Sequence, residues 1–220
     1  MPQRSRELSA PPVVRPLLRG WLHAVAAVVL FASAPLLWSV AEGDAVRLAV
    51  VVYLLGVGAM LTVSATYHVP DWGEAAKRRL RRADHSAIFL CIAGTYTPVL
   101  AVATDGRFRT GMLIAVWVGA AAGIAIRNIL INARPWLVAT PYVVLGWVSL
   151  LLLPALYRAS VTVTVLVIAG GVAYTLGAVV YARKRPDPWP QVFGFHELFH
   201  ALTVVAIVAH WIAVRLALQL

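Results

Sequence analysis

Residues 45–67 read AVRLAVVVYLLGVGAMLTVSATY, a run in which Arg47 is the one charged side chain. At 1.5 Å per residue, a helix needs about 20 mostly apolar residues to cross the hydrocarbon core of a bilayer. This run is long enough, and its apolar residues form a continuous block instead of an amphipathic stripe. Six more blocks of the same kind flank it, at roughly 20–41, 85–104, 110–130, 136–156, 160–182 and 196–218. Of the 220 residues, 61% are hydrophobic and 13% charged. A soluble domain carries about a quarter charged residues and under half apolar. The predicted fold is an all-α integral membrane protein, a seven-transmembrane helix bundle.

The chain divides into a loose basic tail, residues 1–18, rich in Pro and Arg, and a transmembrane domain, 19–220. The first block lacks a small-residue cleavage site and reads as a retained helix, not a removed signal peptide. The formal charge of +10 would raise nucleic acid as a partner in a soluble protein. Here the basic residues fall between the apolar blocks, so they read as topology signals and no nucleic acid is expected. Assigned to alternate sides of seven helices, fourteen Lys and Arg fall on one side and five on the other. That bias predicts a cytoplasmic N-terminus and an outward C-terminus. The run KRRLRR, Lys77–Arg82, adds an expected contact with anionic lipid headgroups. Cys91 is the single cysteine, so no intrachain disulfide forms, and it reads as a buried packing residue.

Imidazoles and carboxylates in or beside a spanning helix are costly and mark candidate sites. With this topology, His68 ends the second helix on the cytoplasmic side, Asp84 and His85 open the third, and His196, Glu197 and His200 open the seventh. Three distant segments thus bring His and carboxylate groups to one depth. His196 and His200 are four residues apart and share a helix face, as two ligands of one ion require. With His68 they make three neutral imidazoles, a set that holds Zn2+ and leaves a fourth position for water. Asp84 can orient or deprotonate that water, or act only as the N-cap of its helix. Ser64, one turn before His68 on the same face, can assist it or donate to a substrate oxygen.

The spacing in FHELFH (195–200) is also the H-E-x-x-H of zinc proteases, where the Glu is the general base and a third ligand follows downstream. Here one helix follows. It carries His210, about 15 Å deeper than His200 at 1.5 Å per residue, and no carboxylate. The third ligand is therefore expected upstream, at His68, and the protease reading is set aside. The role of Glu197 stays open. His23 and His210 read as packing residues or neighbours of the ligands. Pro98 should bend its helix, with Thr95 and Thr97 satisfying freed backbone groups, and Pro141 and Pro154 should bend the fifth block.

The stretches RGWLH (19–23), SATYH (64–68), RADHSAIFLCIAGTYTPVL (82–100) and HELFHALTVVAIVAH (196–210) closely resemble the hemolysin III family. That family is the bacterial branch of the progestin and adipoQ receptors, which include the adiponectin receptors. The resemblance implies seven transmembrane helices and a zinc ion near the cytoplasmic face. Carried over, the ligands are His68, His196 and His200, with Asp84 holding the metal-bound water and Ser64 beside it. The constellation also resembles that of alkaline ceramidases, which implies a zinc-dependent hydrolase acting on a lipid amide or ester, with membrane lipids as surroundings. A non-enzymatic receptor or regulator with structural zinc is the alternative. A cytolytic pore ranks last, because the helices carry no continuous polar stripe. The expected location is a bacterial cytoplasmic membrane, crossed several times.

Overall fold

A computed structural model of the chain describes residues 15–129 and 134–220, and all of its long elements are helices. The first apolar block is α1 (Trp21–Ala32) followed by α2 (Ala34–Trp38). The two are separated at Ser33 because Pro35 has no N–H to offer the Phe31 carbonyl one turn back. Then come α3 (Asp44–His68), α4 (Glu74–Ala103) and α5 (Gly106–Ile129). The fifth block is not one regular helix. It runs as α6 (Pro135–Trp147), a tighter 3-10 segment (Val148–Leu152) and α7 (Leu153–Ala159). Pro141 lies inside α6 without ending it, whereas Pro154 sits in the first turn of α7, where a missing N–H costs nothing. α8 (Val161–Arg183) opens on Ser160, whose hydroxyl accepts the Val163 N–H at 3.3 Å, and α9 (Phe195–Ala217) closes the bundle.

Among the described residues, six helical runs are long and apolar enough to cross a membrane: α3, α4, α5, residues 139–159, α8 and α9. α1 is shorter than the others. The protein is therefore a multi-pass helical membrane protein. Large apolar side chains such as Val28, Leu55, Val118, Leu151 and Val205 are exposed on the outside of the bundle, as lipid-facing positions require.

Three expectations are corrected. The polar stretch before the third block is not a connector, because α4 begins at Glu74 and carries the basic run inside a helix. Asp84 is therefore well inside α4 and does not cap it. The tail also does not stay loose to residue 18: Leu17 and Leu18 donate their backbone N–H groups to the Gln191 and Val192 carbonyls at 3.0 and 3.2 Å. Arg4 and Arg6 of that tail lie outside the described residues.

The core is tightest where α3 crosses α4. Gly56 and Gly94 face each other there, and a Cβ on Gly56 would lie 2.5 Å from the Leu90 carbonyl oxygen. Tyr53, Leu61, Phe89 and Leu100 are fully buried around this crossing. The close approach brings Ser64 of α3 and Asp84 of α4 to the same end of the bundle.

Candidate metal centre

His68 is the last residue of α3, and His196 and His200 lie in the first turns of α9. Each of the three offers one ligand atom, and these atoms all lie within 4.8 Å of one another. The ring centroids are 4.8 Å apart for His68 and His196, 5.2 Å for His68 and His200, and 4.7 Å for His196 and His200. The rings are inclined to each other by 56° to 71°, so they converge on a point instead of stacking.

The three histidines could hold a metal ion, and one pair of their nitrogens has the spacing that a zinc ion asks for. Tetrahedral Zn–N bonds of about 2.0–2.1 Å place neighbouring ligand nitrogens roughly 3.3–3.4 Å apart. The Nε2 atoms of His68 and His196 are 3.3 Å apart. Nδ1 of His200 is buried with no hydrogen-bond partner, as are both ring nitrogens of His23, and buried polar atoms left so are uncommon. Tyr181, Phe195 and Phe199 make ring contacts with the half-buried His196.

Ser64 and Asp84 are both buried, and the Ser64 side chain neighbours the Asp84 carboxyl. Both line one interior cavity of about 160 Å³ together with His196 and His200. The cavity continues along α4 and α9 past Thr95 and Thr203 to His210, between largely apolar walls. His210 stands apart from the three ligands and hydrogen-bonds the Val167 carbonyl at 3.1 Å through Nε2. Glu197 is fully buried but does not line the cavity. One of its oxygens takes the Arg19 Nε–H and the other the Gly194 N–H at 2.9 Å.

Two contacts near the site escape a reading of sequence alone. His23 of α1 stacks flat on His200; the motif RGWLH marks the residue but not its target. Arg127, counted among the topology charges, is buried and hydrogen-bonds the His85 ring at Nδ1, while Tyr142 donates to the His85 carbonyl at 3.2 Å. The one available signal was that His85 adjoins Asp84 in sequence.

Fold and site together define a polytopic membrane protein whose interior cavity meets a cluster of three histidines at one end. The family described as Haemolysin-III related matches residues 12–211. The chain belongs to the hemolysin III family, within the progestin and adipoQ receptor superfamily. It is similar to the Hemolysin-3 homolog of Bacillus subtilis (strain 168), 29% identical over 146 residues, 66% of this chain and 66% of that protein. It is similar to Hemolysin-3 of Bacillus cereus, 30% identical over 121 residues, 53% of this chain and 51% of that protein. A shorter match, 39% identical over 57 residues, reaches the Heptahelical transmembrane protein ADIPOR2 of Oryza sativa subsp. japonica, covering 24% of this chain and 25% of that protein. The chain thus spans just under two thirds of the first of these relatives and about half of the second.

Proposed function

We propose that the protein is a zinc-dependent hydrolase of a lipid amide or ester, working inside the membrane. The observation that carries this reading is the convergence of His68, His196 and His200 on one point, two of them, His196 and His200, lining the same cavity as Ser64 and Asp84. A zinc ion held by those three nitrogens supplies Lewis acidity, polarising a carbonyl and making water nucleophilic near neutral pH. The Asp84 carboxylate accepts the proton of the water that attacks the carbonyl carbon. It returns that proton to the amine nitrogen or alkoxide oxygen as the C–N or C–O bond breaks. The Ser64 hydroxyl donates to the carbonyl oxygen as negative charge builds there. The apolar walls beyond take the hydrocarbon part of the substrate.

Seven crossings with a cytoplasmic N-terminus complete the proposal, with α1 and α2 together forming the first crossing. The support is the Lys and Arg bias between the sides. Lys77, Arg78, Arg79 and Arg82 are exposed on α4 and reach anionic headgroups. The membrane is the cytoplasmic membrane of a bacterium.

The second reading is a receptor or regulator of membrane-lipid state whose zinc is structural. It is favoured by the way the ligands would tie together two helix ends, since α3 and α9 have little other contact.

The test is elemental analysis of the purified protein followed by turnover of acyl-amide and acyl-ester lipids. One zinc per chain, lost in both His68→Ala and His200→Ala, is expected. Hydrolysis should then be abolished in Asp84→Asn with its zinc retained. Bound zinc without hydrolysis of any such lipid would move the assignment to the second reading.

A further inference from the structure

Residues 15–20 touch both helices that carry the candidate ligands. At one end, Arg15 donates to the Val69 carbonyl at 2.8 Å and to the Asp71 carboxylate at 3.1 Å, just past His68 where α3 stops. At the other end, Arg19 pairs with Glu197, between His196 and His200 in the first turn of α9. Between them, Leu17 and Leu18 hydrogen-bond the backbone at Gln191 and Val192, in the loop that leads into α9. Gly20 then turns the chain into α1 with φ of +84°, and a Cβ there would lie 2.7 Å from the Cβ of His68. Only glycine suits both the left-handed turn and the contact.

α1, which follows this segment, packs against α3 and against α9, whereas α3 and α9 have little contact of their own. The separation of His68 from the α9 histidines is therefore not set by direct packing of the two helices that carry them. Glu197 is the point where the segment grips α9. It is fully buried, and its two oxygens are taken by Arg19 and by the Gly194 N–H at 2.9 Å, so the Glu197 side chain reaches back to the N-cap backbone of α9. Asp187 holds the same turn from outside, accepting the Phe195 N–H at 2.7 Å. Both Glu197 oxygens are occupied away from the cavity, so the residue that is the base in H-E-x-x-H proteases has no such position here.

We infer that residues 15–20, gripping α9 through the pairing of half-buried Arg19 with buried Glu197, form a clasp that sets the spacing of the three-histidine site, with Glu197 a positioning residue. The inference rests on the three-histidine reading for its metal consequence, but the clasp itself is testable without metal. Partners that orient metal ligands lower affinity by about 10–100-fold when removed.

The experiment uses the full-length protein in detergent, with zinc affinity read by competition with a chelator. Amide hydrogen exchange is followed across 195–200 in metal-free protein. Glu197→Gln and Arg19→Ala should each weaken zinc by about 10–100-fold, and Arg19→Lys should recover part of that loss. Exchange at 195–200 should quicken in the first two variants, with the α3–α4 crossing unchanged. Unchanged zinc affinity in both variants, against a wild type that binds zinc, would overturn the positioning role. So would protection lost evenly over all helices with the affinity of the folded fraction intact. If the wild type binds no zinc, the metal reading fails by itself. Exchange confined to 195–200 then still supports the clasp, and exchange unchanged there refutes it.

Discussion

The imidazole of His23 lies flat against that of His200, the ring centroids 3.9 Å apart and the planes 6° from parallel. A ring held on one face by another ring keeps its orientation, and a ligand nitrogen is useful only when its lone pair is aimed. His23→Ala removes the support and should weaken zinc by roughly tenfold, the lower end of what such neighbours contribute. His23→Phe keeps a flat ring in the stack and should stay close to wild type. Chelator competition on the two variants decides it, since loss in both would point to the His23 nitrogens and not to the stack.

The crossing of α3 over α4 depends on two bare backbones. A Cβ on Gly94 would sit 3.1 Å from the Val52 carbonyl oxygen, and one on Gly56 2.5 Å from that of Leu90. Gly56→Ala should therefore cost about 1–3 kcal/mol, as overpacking does. Gly111 in α5 meets nothing within 4 Å, so Gly111→Ala serves as the neutral control. Denaturant or thermal unfolding in detergent gives the comparison, and equal midpoints for the two variants would refute it.

Tyr96 donates to the Leu145 and Gly146 carbonyls at 3.0 and 2.7 Å. These carbonyls lie where α6 tightens into the 3-10 segment and regular helical bonding changes. Tyr96→Phe should lower stability by about 0.5–1.5 kcal/mol, the net worth of such a bond. Zinc content should be unaffected. A variant as stable as wild type would mean the segment holds its shape unaided.

Arg127 and Arg82 were counted alike as charges beside the membrane, yet Arg127 is buried against His85 and Arg82 is exposed. Losing a hydrogen bond from a charged donor costs about 1.5–3 kcal/mol, while an exposed substitution stays within about 0.5 kcal/mol. Arg127→Gln should therefore be clearly less stable than Arg82→Gln in the same unfolding assay. Equal stabilities would return Arg127 to a topology signal.

The grouping of the three candidate histidines was legible in sequence in part, because imidazole spacing on a helix is local information. His196 and His200 share a face through helical periodicity alone, and the rarity of polar groups in these blocks singled out His68, Asp84 and Ser64. The role of Glu197 was not legible. Its partner Arg19 is 178 positions away, and a Glu that turns back to the N-cap backbone of its helix reads the same in sequence as the base of a protease motif. The status of Asp84 was misjudged as an N-cap option because the polar residues 74–83 look like a connector. They are helical, so the basic run and Asp84 belong to one α4. Pro98 shows a smaller miss. Thr95 and Thr97 bond the Cys91 and Ala93 carbonyls at 2.8 and 2.9 Å, not the Gly94 carbonyl that Pro98 leaves without its usual donor.

Sequence by itself determined that the chain is a helical membrane protein and which few polar side chains stand out within it. Block length and hydropathy follow from the bilayer as solvent and need no partner to be read. Tertiary structure alone decided which of those side chains meet. His23 reaches His200, Arg19 reaches Glu197, and Arg127 turns inward to His85 because helices far apart in sequence pack side by side. At the crossing of α3 and α4, Gly56 and Gly94 let two backbones meet, and there backbone shape and not hydropathy fixes the fit.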